Sequence, residues 1–469
     1  MPEHISAPLI GVQLVHRVRL LLFLVCSIAV WLCAPQSSSA AERGAPEKPA
    51  MPNFVLIVAD DMGFGDLGVN GSELIATPHI DDLARRGVNL TTFYSSANVC
   101  TPSRAGLLTG RYPIRTGLAW EVIGERDERG LPATETTIAE LLGAHGYVSA
   151  IVGKWHLGHQ PQYWPTEHGF DEFYGLLYSN DMRPLALYSG RDKVEEPVDQ
   201  SSLTRRYTDE AIRFVESNRS RPFFLYLPHT FPHIPLFVSE EFEGKSSAGL
   251  YGDTIEEIDW STGQIVAALK RAGIYENTVV MFTSDNGAWF EGSGGSLRGG
   301  KGSTWDGAFR VPFIASWPAR LPAGKSADAM AMNIDILPTI AAAAQIELPA
   351  VPIDGRNLLP LLRDATVQVH DYLYFFNNEE VIGVSDGRWR LLTHVYYRRS
   401  LGALDRFSRL DGFEQDYPLL FDMNVERPER YSVAREHPRI AKRLYDQLTE
   451  ARESFDALRT HAPMKTYPE

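Results

Sequence analysis

Four continuous apolar runs along the chain each stop at polar residues. They cover residues 54–59, 147–152, 222–227 and 278–283. Uninterrupted apolar runs of this length are typical of strands that are buried on both faces of a parallel sheet. The pattern therefore predicts the central strands of a sheet that is covered on both sides.

Helical patterns lie between these runs, at residues 80–86, 136–145, 206–217 and 250–272. Strands that alternate with helices predict an α/β fold. In such folds ligands bind beyond the carboxyl ends of the strands. We therefore expect the polar residues that follow the four runs to meet at one edge of the sheet.

A change of pattern between about residues 348 and 371 predicts a domain boundary, because Pro349, Pro352, Gly355 and Pro360 cluster there. Short strand-like runs follow at 372–376, 381–385, 388–393 and 419–422, and a helical pattern covers 438–458. We predict a catalytic α/β domain over residues 41–355 and a smaller α+β subdomain over 356–469, made of an antiparallel sheet and one helix.

The first 40 residues are typical of a secretory signal peptide. Arg17 and Arg19 precede an apolar run over residues 20–32, and small residues follow at 38–41. The alternative is a single membrane anchor, for which this run is short. We expect an exported protein, periplasmic or secreted, without a stable membrane anchor.

The formal net charge is −14. Residues 1–40 carry a net charge of +1, from Glu3, Arg17 and Arg19, so the chain without them has −15. This charge argues against nucleic acid and against an anionic membrane surface as partners. An anionic substrate would need positive charge concentrated at its site.

Only one of the three cysteines, Cys100, lies outside the first 40 residues. A lone cysteine is most simply a small buried apolar side chain. Here Pro102 and Arg104 follow it, and residues 105–108 are typical of the start of a helix. A side chain at a helix N-terminus beside an arginine is suited to contact an anion.

Two of the predicted strands are followed by oxygen donors. Asp60 and Asp61 come after the first run, and Asp285 and Asn286 after the last. A carboxylate pair alone is usually a helix cap or a solvated turn. Two such turns at neighbouring strand ends instead predict a metal site, and oxygen ligands of this kind suit Ca²⁺ or Mg²⁺ but not zinc.

Further chemically capable side chains follow strands or lie in loops rich in proline and glycine. They are Lys154, His156, His233 and Lys301. Taken singly, each lysine is compatible with a surface charge and each histidine with a buried structural imidazole. His229 competes with His233 for the same role.

Together these segments resemble the type I sulfatases. Residues 100–111 match the sulfatase signature in which the cysteine is oxidised to formylglycine, and residues 153–158 match the second signature. The oxygen donors, His233 and Lys301 then follow in the family's order, and the resemblance extends from residue 53 to 422. It is closest to the branch of arylsulfatase A and N-acetylgalactosamine-6-sulfatase.

The resemblance implies an alkaline-phosphatase-like core with one calcium ion. The ligands it implies are Asp60, Asp61, Asp285, Asn286 and the modified Cys100. Arg104, Lys154 and Lys301 would surround the sulfate, and Ser179 would contact substrate, although Asn180 follows it where some relatives have histidine. A formylglycine-generating enzyme would act during maturation.

The implied mechanism begins with a hydroxyl of hydrated formylglycine attacking sulfur. His233, with Lys301, would protonate the departing alcohol, and His156 would take the proton of the second hydroxyl, which releases sulfate.

Two alternatives remain open: a phosphodiesterase or phosphonate monoester hydrolase with the same core, and a carbohydrate-binding relative without activity. The pocket rim is predicted over residues 119–130, 179–198, 289–297 and 395–417. Its aromatic and basic side chains favour a sulfated carbohydrate as substrate; they are Trp120, Arg183, Tyr188, Trp289, Tyr396, Tyr397 and Arg398.

Overall fold

A computed structural model describes residues 51–395, 413–425 and 427–461, with no side chains described for 413–417. The predicted signal peptide and the rim residues Tyr396, Tyr397 and Arg398 lie outside the described residues. The strands in this part of the chain are β1 (Asn53–Ala59), β2 (Val88–Leu90), β3 (Phe93–Tyr94), β4 (Val148–Lys154), β5 (Glu172–Leu176), β6 (Leu187–Ser189), β7 (Asp192–Glu195), β8 (Phe223–Pro228), β9 (Thr278–Ser284), β10 (Phe313–Ser316), β11 (Lys325–Ala327), β12 (Ala331–Met332), β13 (Leu373–Asn377), β14 (Glu380–Ser385), β15 (Trp389–Val395) and β16 (Phe413–Asp422).

Several α-helices connect and cover these strands. They are α1 (Pro78–Arg85), α2 (Cys100–Thr109), α3 (Ile138–Gly143), α4 (Leu203–Ser217), α5 (Gly249–Arg271), α6 (Asp306–Phe309), α7 (Ile336–Ala344), α8 (Leu359–Arg363) and α9 (Pro438–Asp456). No helix among the described residues is both long and apolar enough to cross a membrane.

The main sheet has ten strands in the order β11-β2-β10-β9-β1-β8-β4-β5-β6-β7. Its centre, from β9 through β1, β8 and β4 to β5, is parallel, while β10, β2, β6 and β7 introduce antiparallel pairs. The four predicted apolar runs are four of these five parallel strands. Their carboxyl ends lie at one edge, so the α/β prediction is confirmed.

The two faces of β1 explain why its sequence is apolar throughout. Phe54, Leu56 and Val58 pack into the core on one side of the sheet. Their neighbours at 55, 57 and 59 pack into the core on the other side. Because successive strand side chains point to opposite faces, a strand covered on both faces has no position left for a polar residue.

The predicted smaller antiparallel sheet with a helix is also confirmed. Its strands lie in the order β13-β14-β15-β16, all antiparallel. A third core joins this sheet and α9 to Tyr94, Trp305 and Phe309 of the larger sheet's connections. The C-terminal sheet is therefore packed directly against the segment around α6. The boundary predicted near residue 355 stays a prediction.

Two glycines allow β4 to approach its neighbours closely. Gly153 pairs with Gly175 of β5 in the register of the sheet. Gly153 has φ +133°, and a Cβ there would lie 1.9 Å from the carbonyl oxygen of Pro228. Both the backbone conformation and the space therefore require glycine at this strand end.

We expect Gly153→Ala to lower the free energy of unfolding by about 3 kcal/mol or more, because the added methyl overlaps backbone that cannot move independently of β8. Urea unfolding measures the change. Gly143→Ala is the matched control, since a Cβ there meets nothing within 4 Å. Equal stability of the two variants would contradict the packing described here.

Candidate active site

The strand ends of β1 and β9 bring four oxygen-bearing side chains together. The two strands are paired neighbours, so the turns that follow them meet. The Asp61 amide donates to Oδ1 of Asp285 at 3.1 Å, and Nδ2 of Asn286 donates to Oδ1 of Asp61 at 2.7 Å. Asp60, Asp61, Asp285 and Asn286 are all fully or almost fully buried. Two turns that are distant in sequence thus form one acidic centre.

Cys100 joins this centre from α2. The helix begins at Cys100 itself, five residues before the predicted start, and only 1% of the residue is exposed. Its Sγ lies 3.6 Å from Oδ1 of Asp60 and 3.9 Å from Oδ1 of Asp61. Burial raises the pKa of the thiol to about 12, so an unmodified Cys100 is a poor nucleophile at neutral pH.

Three buried cations balance the acidic centre. Arg104 lies one turn beyond Cys100 on α2. Its Nη2 is 2.8 Å from Oδ2 of Asp285 and 3.3 Å from Oδ1 of Asp60. Nζ of Lys154 lies 2.5 Å from Oδ2 of Asp60, and Nζ of Lys301 lies 2.7 Å from Oδ2 of Asp61. The three cations match the three carboxylates Asp60, Asp61 and Asp285 in number.

Burial and these cations act in opposite directions on the carboxylates. Burial by itself raises the pKa of Asp60, but Lys154 and Arg104 hold that pKa below its usual value. Lys301 lowers the pKa of Asp61 against the same effect of burial. Both carboxylates are therefore ionised at neutral pH, as oxygen ligands for a cation must be.

His233 faces the centre beside Ser179. Its Nε2 lies 3.3 Å from Oγ of Ser179 and 3.8 Å from Oδ2 of Asp61, and Oγ of Ser179 is 3.2 Å from Nζ of Lys154. The amide of Asn180 donates to Gln200 and to a backbone carbonyl, so its Oδ1 faces Nδ1 of His233 at 3.1 Å. This contact assigns the proton to Nδ1 and directs Nε2 towards the centre.

In His156 it is Nδ1, and not Nε2, that is left without a hydrogen. Its Nε2 lies 2.9 Å from the carbonyl oxygen of Ile123, which can only accept, so Nε2 carries the hydrogen. Its buried Nδ1 has no hydrogen-bond partner among the described residues and keeps a lone pair. Burial, followed by the charges of Lys154 and Arg104, lowers the pKa of His156 well below its usual value, so the ring is neutral.

The competition between His229 and His233 is decided by position. His229 is fully buried near Ser261 and Tyr207, and burial lowers its pKa to about 3. Only His233 of the two contacts the acidic centre. The five residues that follow β8, residues 229–233, thus carry one structural and one site histidine.

The predicted rim residues that the structure describes have different packing partners. The ring of Trp289 is centred 5.9 Å from Nζ of Lys301. Trp120 stacks on His461 with ring centroids 4.2 Å apart. Arg183 donates to the carbonyl oxygen of Asn180, whereas Tyr188 packs against Trp164.

Several residues that support the site were missed from the sequence. The hydroxyl of Ser103 donates to the carbonyl oxygen of Asp285, and Nδ2 of Asn333 donates to Oγ of Ser103 at 2.9 Å. The hydroxyl of Tyr251 donates to the carboxylate of Asp66 at 2.6 Å, just beyond the β1 turn. Asn180 was noted in the sequence only as the residue after Ser179, and its contact with His233 was missed. The other contacts carry no local signal.

Comparison with known proteins agrees with this geometry. The family model described as Sulfatase matches residues 52–346. The chain belongs to the sulfatase family. The model described as N-sulphoglucosamine sulphohydrolase, C-terminal, matches residues 300–408 of this sulfatase. The predicted family and the prediction of an enzyme that hydrolyses sulfate esters are thereby confirmed.

Named relatives cover most of the sulfatase. The steryl-sulfatase of Mus musculus is 34% identical, over 90% of this chain and 84% of its own. The N-acetylgalactosamine-6-sulfatase of Canis lupus familiaris is 38% identical, over 75% and 73%. The crystal structure of Ps i-CgsB in complex with k-i-k-neocarrahexaose has a TM-score of 0.74 and 29% identity, and the match covers 86% of this chain and 92% of that one.

We expect Arg104→Met to lower the free energy of unfolding by about 3 kcal/mol or more, because it leaves Asp60 and Asp285 buried beside one cation fewer. Arg86→Met, which breaks an exposed ion pair with Asp82, is the control and changes stability by about 0.5 kcal/mol or less. Urea unfolding in the presence of a chelator measures both. A loss for Arg104→Met no larger than that of the control would contradict the charge balance described above.

Proposed function

We propose that this sulfatase hydrolyses sulfate esters of carbohydrates with the help of calcium and of a formylglycine made from Cys100. One observation carries the proposal: Cys100 lies at a helix N-terminus against two carboxylates, within a cluster of three buried cations. A thiol with a raised pKa does little nucleophilic chemistry there, whereas an oxidised side chain carrying hydroxyls would.

The donor set fits a calcium ion. One ligand atom each of Asp60, Asp61 and Cys100 lies within 4.8 Å of the others. Oδ1 of Asn286 is buried and has no hydrogen-bond partner among the described residues, as expected of an oxygen reserved for a cation. Asp285 would complete the set. When bound, calcium would withdraw electron density from the sulfuryl oxygens and make the attacking hydroxyl more acidic.

Residues of the chain would bind the sulfuryl group and transfer the protons. Arg104, Lys154 and Lys301 would hold the sulfuryl oxygens while charge moves towards the leaving oxygen. His233 would give a proton to the departing alcohol from Nε2 of its imidazolium form, because in the neutral ring the hydrogen lies on Nδ1 and Nε2 can only accept. Lys301 would lie beside this proton, and Ser179 would contact the substrate. The lone pair on Nδ1 of His156 would accept the proton of the second hydroxyl at residue 100, which expels sulfate and restores the aldehyde.

The substrate class is inferred from the relatives and from the rim. One relative is named for N-acetylgalactosamine-6-sulfate chemistry, and the similar Ps i-CgsB structure is a complex with k-i-k-neocarrahexaose. Trp289 beside Lys301 offers an aromatic surface of the kind on which sugar rings stack. A sterol sulfate is the competing class, because a steryl-sulfatase is also among the relatives.

Maturation and location complete the proposal. A formylglycine-generating enzyme would act on Cys100, and the signal peptide predicted at residues 1–40 would export the protein to the periplasm or the exterior.

We expect conversion of Cys100 in a host that has a formylglycine-generating enzyme. The tryptic peptide that ends at Arg104 should show the mass of CHO in place of CH₂SH. The converted protein should cleave nitrophenyl sulfate faster than bis-nitrophenyl phosphate, and sulfated sugars faster than a steroid sulfate. Cys100→Ala should lack turnover.

Two results would contradict the mechanism: an unmodified thiol at Cys100 in a host that converts a control sulfatase, and full activity of Cys100→Ala. Faster cleavage of bis-nitrophenyl phosphate than of nitrophenyl sulfate would favour the phosphodiesterase alternative.

We expect Asp61→Asn to weaken calcium binding by about tenfold or more, because it removes one carboxylate charge from the proposed ligand set. Isothermal titration calorimetry of the chelator-treated protein measures the dissociation constant. Asp82→Asn on α1 is the control, since Asp82 pairs with Arg85 and Arg86 instead. Equal affinities of the two variants would exclude Asp61 as a ligand.

A further inference from the structure

The segment that carries Lys301 has no regular secondary structure. It comprises residues 298–305, which we call the lysine loop, between β9 and α6, with positive φ angles at Gly299 and Gly302. The amide of Lys301 donates to the carbonyl oxygen of Ala288 at 2.8 Å, and that of Gly302 to Asn98 at 2.9 Å. A loop that contains such flexible residues needs further contacts to hold a long side chain in one position.

A buried pair from the C-terminal region contacts the far end of the lysine loop. Arg390 of β15 has no exposed surface, and its Nη2 donates to the carbonyl oxygen of Thr304 at 3.0 Å. Its Nη1 donates to the buried carboxylate of Glu429. The other oxygen of Glu429 accepts from the amide of Asp306 at 2.7 Å, directly after the loop.

The same pair also contacts the near end of the loop. Nη1 of Arg298 donates to the carbonyl oxygen of Glu429 at 2.8 Å, and its guanidinium lies 3.5 Å from the ring centroid of Trp305. Glu429, whose φ is +53°, thus accepts through both its carbonyl oxygen and its carboxylate. Glu429 therefore binds the first residue of the lysine loop and the residue that directly follows the loop.

Stability alone does not account for this arrangement. Asp306 and Arg310 add two more buried charges, with Nε of Arg310 3.0 Å from Oδ2 of Asp306. A buried ion pair contributes little net stability compared with well-packed apolar residues of the same volume. Its directed hydrogen bonds, by contrast, specify the position of the backbone they contact.

We propose that Arg390 and Glu429 are positioning residues for Lys301. They hold the lysine loop so that Nζ of Lys301 reaches Asp61 and the sulfuryl group, which makes the C-terminal sheet part of the catalytic apparatus. The inference rests on the proposed function only for the role of Lys301 towards sulfate. Neither residue touches the substrate.

The test compares Arg390→Met with Arg388→Met, which removes a neighbouring arginine that pairs with Asp422 at the surface. We expect kcat/KM for nitrophenyl sulfate to fall about 10- to 100-fold in Arg390→Met and to stay within about twofold in the control. Arg390→Lys, which keeps the charge beside Glu429, should restore part of the loss. When Arg390→Met is added to Lys301→Ala, the further decrease in kcat/KM should be below about threefold. An equal decrease in kcat/KM with and without Lys301→Ala would overturn the proposal.

A second readout does not depend on sulfatase activity. Acetylation of Lys301 by a limiting reagent, followed by peptide mass spectrometry, should rise severalfold in Arg390→Met relative to the exposed Lys270 of the same molecule. Should Arg390→Met not fold, Arg298→Gln at the half-exposed end of the loop takes its place. Unchanged labelling of Lys301 overturns the positioning role. Increased labelling in a protein without sulfatase turnover supports positioning and counts against the proposed function alone.

Discussion

The site depends on the balance of buried charge at the ends of β1 and β9. Three carboxylates and three cations lie together there with almost no exposure. An isolated charge at this depth would be neutralised or would destabilise the fold. Lys154 and Arg104 hold the pKa of Asp60 below its usual value against burial, and Lys301 does the same for Asp61. These carboxylates therefore depend on the cations beside them.

Strands, a helix and a loop each supply some of the charged side chains of this cluster. Parallel strands bring the carboxylates to one edge, and β4 adds Lys154 at the same edge. The first turns of α2 supply both Cys100 and Arg104, because residues four apart lie on one face of a helix. Of the three cations, only Lys301 comes from an irregular loop, and Arg390 of the C-terminal sheet contacts that loop.

The two site histidines show how a hydrogen-bonded neighbour determines which ring nitrogen carries the hydrogen. Nε2 of His156 is bound to a carbonyl oxygen, which leaves Nδ1 as a base. In His233 an amide oxygen faces Nδ1, so Nε2 is presented to the centre. The two rings thus hold their hydrogen on different nitrogens, because each hydrogen points at an oxygen that can only accept.

The sequence by itself determined the central strands, the smaller sheet and the residues at the strand ends, because continuous apolar runs and the polar positions after them are local patterns. It also carried the family resemblance through the stretch from Cys100 to Arg111. Only the tertiary structure decided that α2 begins at Cys100, that His233 and not His229 faces the centre, and that Asn180 and Arg390 support it. Those contacts join residues that are tens to hundreds of positions apart, and no local periodicity records which loop will meet which.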